Sequence, residues 1–154
     1  MPKKSVKKDK NIYFLSRENA NLTREAASEI MEYISSDRIE RIESGKSAPH
    51  PDEILTMSKC YNDPLLANQY CTMECPIGKK YIPKVSDTEL AAIVLQIMDS
   101  VNGLSDNKNK LVSITADGII SDDERPEFEK ICSQLDQISA AATTLKYWME
   151  NKLS

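Results

Sequence analysis

Aromatic residues are scarce in this chain: two phenylalanines, one tryptophan and six tyrosines in 154 residues. Glycine is scarcer, with four, which argues against an all-β fold that needs many tight turns. No run of large aliphatic residues is longer than Ile93-Val94-Leu95, far short of the ~20 apolar residues a membrane helix needs. The basic start has no apolar stretch behind it, so it does not read as a secretory leader. The expected location is the cytoplasm, where the four cysteines stay reduced and structural disulfides are disfavoured. A single histidine, and the absence of G-x-S-x-G, a phosphate loop or H-E-x-x-H, remove the common catalytic frameworks, and no enzyme is expected. No cofactor is implied.

What is present is a charge division. The net charge is −4. Residues 1–50 hold ten Lys+Arg against eight Asp+Glu, whereas residues 51–154 hold ten against sixteen. The first ten residues, MPKKSVKKDK, contain five lysines and read as a disordered arm, either lying along phosphates through residues such as Lys7 and Lys8 or serving as a solubilising leader.

The stretch from Leu22 to Pro49 reads as two short helices. Thr23 is a good N-cap, and Ala26, Ala27, Ile30 and Met31 follow at helical spacing. A second helix opens at Ser35 or Ser36. Ile39 and Ile42, three apart, mark its buried side, and Asp37, Arg38, Glu40 and Arg41 lie off that stripe. Gly45 stops it as a C′ residue, and Pro49 prevents its resumption.

Over about residues 10–61 this pattern resembles the phage repressor and Cro-type helix-turn-helix, the XRE type. There a Leu-Thr-x-Glu opens the first helix and Ile-x-x-Ile-Glu-x-Gly-Lys closes the second, matched here by Ile39, Ile42, Glu43, Gly45 and Lys46. The resemblance implies that Ser36, Asp37 and Arg41 face base edges. Arg41 has the fork that guanine accepts, Ser36 can donate or accept, and Asp37 can only accept, as from cytosine N4. It also implies phosphate contacts from Arg24 and Lys46, with Arg38 a further candidate. Glu43 would be structural, caught by an arginine of the same domain, for which Arg17 is available. The turn from Met31 to Ser35 is one residue longer than the commonest pattern, with Glu32-Tyr33 in place of the usual glycine.

The head, residues 11–70, is expected to hold five helices. Helix one covers Ile12 to Glu18, with Ile12, Leu15 and Tyr13 inward. Helix four runs from Pro51 to about Tyr61, with Ile54, Leu55, Met57 and Ser58 inward, and helix five from Pro64 to Gln69. Residues 71–85 read as a connector in which Pro76, Gly78 and Pro83 break regular structure. Residues 86–154 change character. Leu90, Val94, Ile97, Val101, Leu104, Leu111 and Thr115 step by fours and threes, with Lys108 filling one gap. Phe128, Ile131, Leu135, Ile138, Ala142, Leu145 and Met149 do likewise. Two long helices are expected to fold back through Ala116–Ile120, the second opening at a Ser121-x-x-Glu124 capping box.

Cys60, Cys71 and Cys75 are candidate metal ligands, but they number three where a closed tetrahedral site wants four. Packed, reduced thiols are the alternative, and Cys132 reads as core or seam edge. Asp117-Gly118 with Glu124 echoes a calcium loop, yet that register puts Ser113 and Thr115 where acids are required. The whole therefore reads as all-α: a repressor-like five-helix domain followed by a long antiparallel helical hairpin. The expected function is sequence-specific transcriptional regulation on double-stranded DNA as a homodimer, with no membrane partner. Two alternatives stay open: a protein-interaction or antitoxin-like adaptor keeping the helix-turn-helix as scaffold, and a cysteine-based metal or redox sensor.

Overall fold

A computed structural model describes residues 10–153. They form eight helices: α1 (Ile12–Asn19), α2 (Arg24–Met31), α3 (Ser36–Glu43), α4 (Pro51–Cys60), α5 (Leu65–Met73), α6 (Pro76–Tyr81), α7 (Leu90–Ile114) and α8 (Arg125–Lys152). No strand occurs among the described residues, so the fold is all-α as expected. The chain divides between Cys75 and Pro76 into two compact units. Lys7 and Lys8 lie outside the described residues.

The first unit closes on a core of Tyr13, Ala27, Met31, Ile34, Ile39, Ile42, Ile54, Met57, Tyr61 and Leu66. Its first three helices each begin with a side-chain cap. Asn11 accepts from the Phe14 N–H at 3.0 Å, Thr23 from Ala26 at 3.1 Å and Ser35 from Arg38 at 3.2 Å. These bonds satisfy donors that a helix start otherwise leaves orphaned. At α4 the side chain of Glu53 reaches back to the His50 N–H at 2.7 Å, the acidic half of a capping box.

Two expected core residues, Leu15 and Leu55, are exposed instead, and so is Ile30 of α2. In α1 the inward face is Tyr13, Ser16 and Arg17, and Leu15 sits two residues, about 200°, away from Tyr13. The polar members of that face are satisfied, Ser16 donating to Asp63 at 2.7 Å and Arg17 to Glu43. In α4, Ile54, Met57 and Ser58 fill the inward stripe and leave Leu55 outside it.

The connector is more ordered than its prolines and glycine suggest. The fifth helix continues past Gln69 to Met73, and Pro76 opens the short α6, a position where its missing N–H costs nothing.

In the second unit α7 and α8 run antiparallel, their register fixed by Lys110–Glu127 at 2.9 Å and Asn107–Gln134 at 3.1 Å. The seam is displaced from the expected one. Ile93, Ser100, Ile114, Ile131, Ala141 and Thr144 are buried, and Val94, Val101, Leu135 and Met149 are exposed. Two apolar stripes overlap on each helix, and only one can face the single neighbouring helix. Beside the buried stripe, Gly103 leaves room for the Gln134 side chain, whose amide nitrogen a Cβ built there would meet at 3.1 Å. The Ser121–Glu124 pair forms, with Glu124 accepting from the Ser121 N–H at 3.0 Å and its hydroxyl at 2.6 Å, but one turn ahead of α8, which begins at Arg125.

Candidate nucleic-acid interface

The helix pair α2–α3 is joined by a strained turn. Glu32 has φ 60° and ψ −52°, and the Tyr33 N–H bonds back to Met31 O at 2.7 Å across it. This is the rare positive-φ γ-turn, which costs a non-glycine residue energy. The extra residue it accommodates carries Tyr33 across to the first turns of α4, where its hydroxyl meets Thr56 Oγ1 at 2.6 Å and Asp52 O at 3.3 Å. Ile34 then drops into the core, and Ser35 starts α3.

Helix α3 buries Ile39, Ile42 and Glu43 and turns Asp37 and Arg41 to solvent, with Ser36 and Glu40 half-buried beside them. It ends as its sequence specifies. Gly45 adopts φ 71°, and the N–H groups of Gly45 and Lys46 bond back to Ile42 O and Arg41 O. Asn11 also anchors the helix end, donating to Ile42 O at 2.9 Å.

Beneath α3 lies a buried ion cluster. Glu43 accepts from Arg17 through Nε at 2.5 Å and Nη2 at 3.1 Å, and from Arg24 Nε at 2.8 Å. Arg17 spends its remaining nitrogen on Leu22 O at 2.6 Å and lies over the Phe14 ring. Burial pulls the Arg17 guanidinium towards neutrality, but the hydrogen bonds and charge of Glu43 outweigh it, so its pKa is raised and it stays charged. Burial, reinforced by the charge of Glu43, drives the Tyr61 phenol well above its ordinary range, and its hydroxyl has no hydrogen-bond partner among the described residues.

Arg38, a phosphate candidate by sequence, is held inside the domain. It grips Glu53 with Nε at 2.7 Å and Nη2 at 2.6 Å, and reaches Ser47 Oγ at 2.5 Å and Ala48 O at 3.0 Å. That fork ties α3 to the loop after it and to α4. In turn, the Arg38 hydrogen bonds hold the Glu53 carboxyl below its ordinary range against the opposing pull of burial. Sequence inspection missed this pair, although Glu53 three residues after His50 carries the capping-box spacing.

The basic-residue candidates thus differ in commitment. Arg24 is one-third exposed with only Nε engaged, and Lys46 makes an exposed pair with Glu40 at 3.3 Å. Arg41 is the one α3 cation with no ion pair among the described residues. Around it are Asp37 and Glu40, and residues 11–75 carry six Lys+Arg against eleven Asp+Glu.

The thiols do not converge on a metal geometry. Among the described residues, no three of His, Cys, Asp and Glu are grouped to hold an ion. Burial raises the thiol pKa of Cys60, and that of Cys71 with help from the neighbouring Cys75, which disfavours the thiolate that binds metals or reacts. No family model, no curated protein and no solved structure matches the chain.

Proposed function

We propose that residues 10–75 read duplex DNA, with α3 in the major groove, and that the protein is a sequence-specific transcriptional regulator of the repressor/Cro type. The supporting observation is the Arg17–Glu43 pair beneath α3. It is the internal arginine–glutamate contact the family pattern implies, and it fixes a helix whose outward side carries Ser36, Asp37 and Arg41, the last in no ion pair among the described residues. In this reading Arg41 donates its fork to guanine O6 and N7, Ser36 adjusts to its base, and Asp37 accepts from cytosine N4. Arg24 and Lys46 contact phosphates, Lys7 and Lys8 extend those contacts from the arm, and Arg38 positions α3. Two copies on a pseudo-palindrome would place their half-sites about 10 base pairs, or a multiple of that, apart.

Selection of bound duplexes from a random pool at moderate salt tests this. Enrichment of a repeated half-site supports it, and absence of any retained DNA even at low salt overturns it. The acid surplus of residues 11–75 favours a second reading, an adaptor that docks a basic segment of another protein on the same head. That reading accounts for failure to bind DNA at low salt, because phosphate contacts strengthen as salt falls.

A further inference from the structure

The hairpin formed by α7 and α8 carries a second apolar face beside its seam. The seam between its helices runs through Ile93, Ile97, Ser100, Leu104, Asn107, Leu111 and Ile114 on α7 and Glu127, Ile131, Gln134, Ile138, Ala141, Leu145 and Trp148 on α8; Ile93, Ser100, Ile114, Ile131 and Ala141 are buried and the others half-buried. Both rows step by four and three throughout. In an antiparallel pair with such seams, the residue directly after each first-type seam position falls on the same side of both helices. Following Ile93, Ser100, Asn107 and Ile114 these are Val94, Val101, Lys108 and Thr115 on α7, and following Glu127, Gln134, Ala141 and Trp148 they are Phe128, Leu135, Ala142 and Met149 on α8. Met98 lies beside them. The two helices therefore present one continuous apolar face, on which Val94, Met98, Val101, Leu135 and Met149 are each 41–53 % exposed.

The seam behind that face is thin. Ser100, Asn107, Gln134 and Thr144 occupy or border its middle, and the Asn107–Gln134 hydrogen bond crosses it. Polar and small residues thus interrupt a seam of large apolar side chains, and the exposed apolar face beside it is left uncovered, whereas most helical stability in water comes from covering such a face. The outer face supplies the missing layer once it is covered.

We propose that a second copy of this chain covers it, face to face, giving a four-helix bundle from two hairpins. Area favours this occupant. A 25-residue helix is ~37 Å long, and two helices side by side span ~20 Å, so each copy offers roughly 700 Å², close to the ~800 Å² per partner of a standard stable interface. Charge favours it too. The face holds Lys108 on α7, Lys146 on α8 and no carboxylate, while the outer edge of α8 carries Glu129, Asp136 and Glu150. A two-fold axis parallel to the helices sets α7 of one copy on α8 of the other and preserves levels along the bundle. Lys108 then comes opposite the Glu129–Asp136 edge of the partner. The proposal does not depend on what the head binds.

Sedimentation of the full chain at 1–100 µM tests it. The expected species is a dimer, twice the 17.3 kDa of one chain. Val101→Glu and Leu135→Glu should each raise the dissociation constant at least 100-fold, whereas Ser113→Glu, on the opposite side of α7, should leave the mass unchanged. Lys108→Glu should weaken the dimer about 10-fold, and adding Asp136→Lys should recover most of that loss. Because Lys108 and Asp136 are exposed, this charge exchange reads the interface even where an apolar-to-acid variant unfolds. A monomeric full chain overturns the proposal and leaves the DNA reading intact. A dimer indifferent to both the apolar-to-acid and the charge-exchange variants overturns it equally.

Discussion

Glu43 decides how the head holds together at the scale of single residues. A carboxylate this deeply buried is tolerable only because two guanidiniums meet it, and Glu43 is in turn the one carboxylate that ion-pairs with Arg17 among the described residues. Removing one partner of a buried pair strands the other. Glu43→Gln keeps shape and volume, yet is expected to cost about 3–5 kcal/mol in urea unfolding because Arg17 remains buried and charged. A loss below about 1 kcal/mol would show that water reaches the cluster. Arg41 has the opposite character, exposed and in no ion pair among the described residues. Arg41→Ala should leave stability within about 0.5 kcal/mol, as surface changes do, while weakening the preferred site by about 1–3 kcal/mol and relaxing preference at one base pair. Arg24→Ala should instead weaken all DNA sequences alike and flatten the salt slope. Equal, sequence-independent losses from both variants would remove Arg41 from base reading. Sequence alone brought Glu43 and Arg17 together, through the family pattern. It did not reveal that Arg38 turns inward, since neither its spacing on α3 nor its charge distinguishes a phosphate ligand from a partner for Glu53, fifteen residues away.

Elements meet through small devices at their ends, and two of these make opposite contributions. The γ-turn at Glu32 is a cost. Its backbone lies where a Cβ is unwelcome. Glu32→Gly should therefore stabilise the head by about 1 kcal/mol, net of the extra freedom glycine gives the unfolded chain. A lowered midpoint in thermal unfolding would mean the turn is not strained as its dihedrals indicate. The Arg38–Glu53 fork between α3 and α4 is a gain, and it depends on pH. The carboxyl titrates lower in the folded state than in the unfolded one. Its contribution is therefore complete above the unfolded value of ~4.3 and is lost as pH falls through the lowered folded value. Glu53→Gln should show a deficit against the parent chain at pH 6 that narrows steadily below about pH 4. A deficit independent of pH would assign the effect to packing. Helix ends were legible in the sequence because caps and stops are local: Thr23, Ser35 and Gly45 each act within four residues. The hairpin seam was not. Its two candidate stripes share Ile97, Leu104, Leu111, Ile131, Ile138 and Leu145, and the choice between them turns on close approach at Gly103 and on the mutual satisfaction of Asn107 and Gln134. Those are contacts between residues 27 or more apart, invisible to periodicity.

At the scale of the whole molecule, charge is what the functional proposal must answer to. The body of the head is acidic, and most of its cations are bound to its own carboxylates. Attraction to a polyanion must then come mainly from Arg41, the outer side of Arg24, Lys46 and the lysines of the first ten residues. This division makes a quantitative demand. Each phosphate neutralised contributes about 0.9 to the slope of log affinity against log salt. Deleting residues 1–9 removes Lys3, Lys4, Lys7 and Lys8. If these lie along the backbone, the slope should fall by roughly 3–4 while the preferred sequence stays the same, because base reading resides on α3. Affinity on random duplexes should fall as much as affinity on the selected site. Should the slope be unchanged, the arm is a solubilising leader, and an acidic head that binds DNA without it would need phosphate contacts beyond Arg24 and Lys46. Should both slope and binding be absent in the intact chain, the acidic body is the interacting surface, and the adaptor reading takes over.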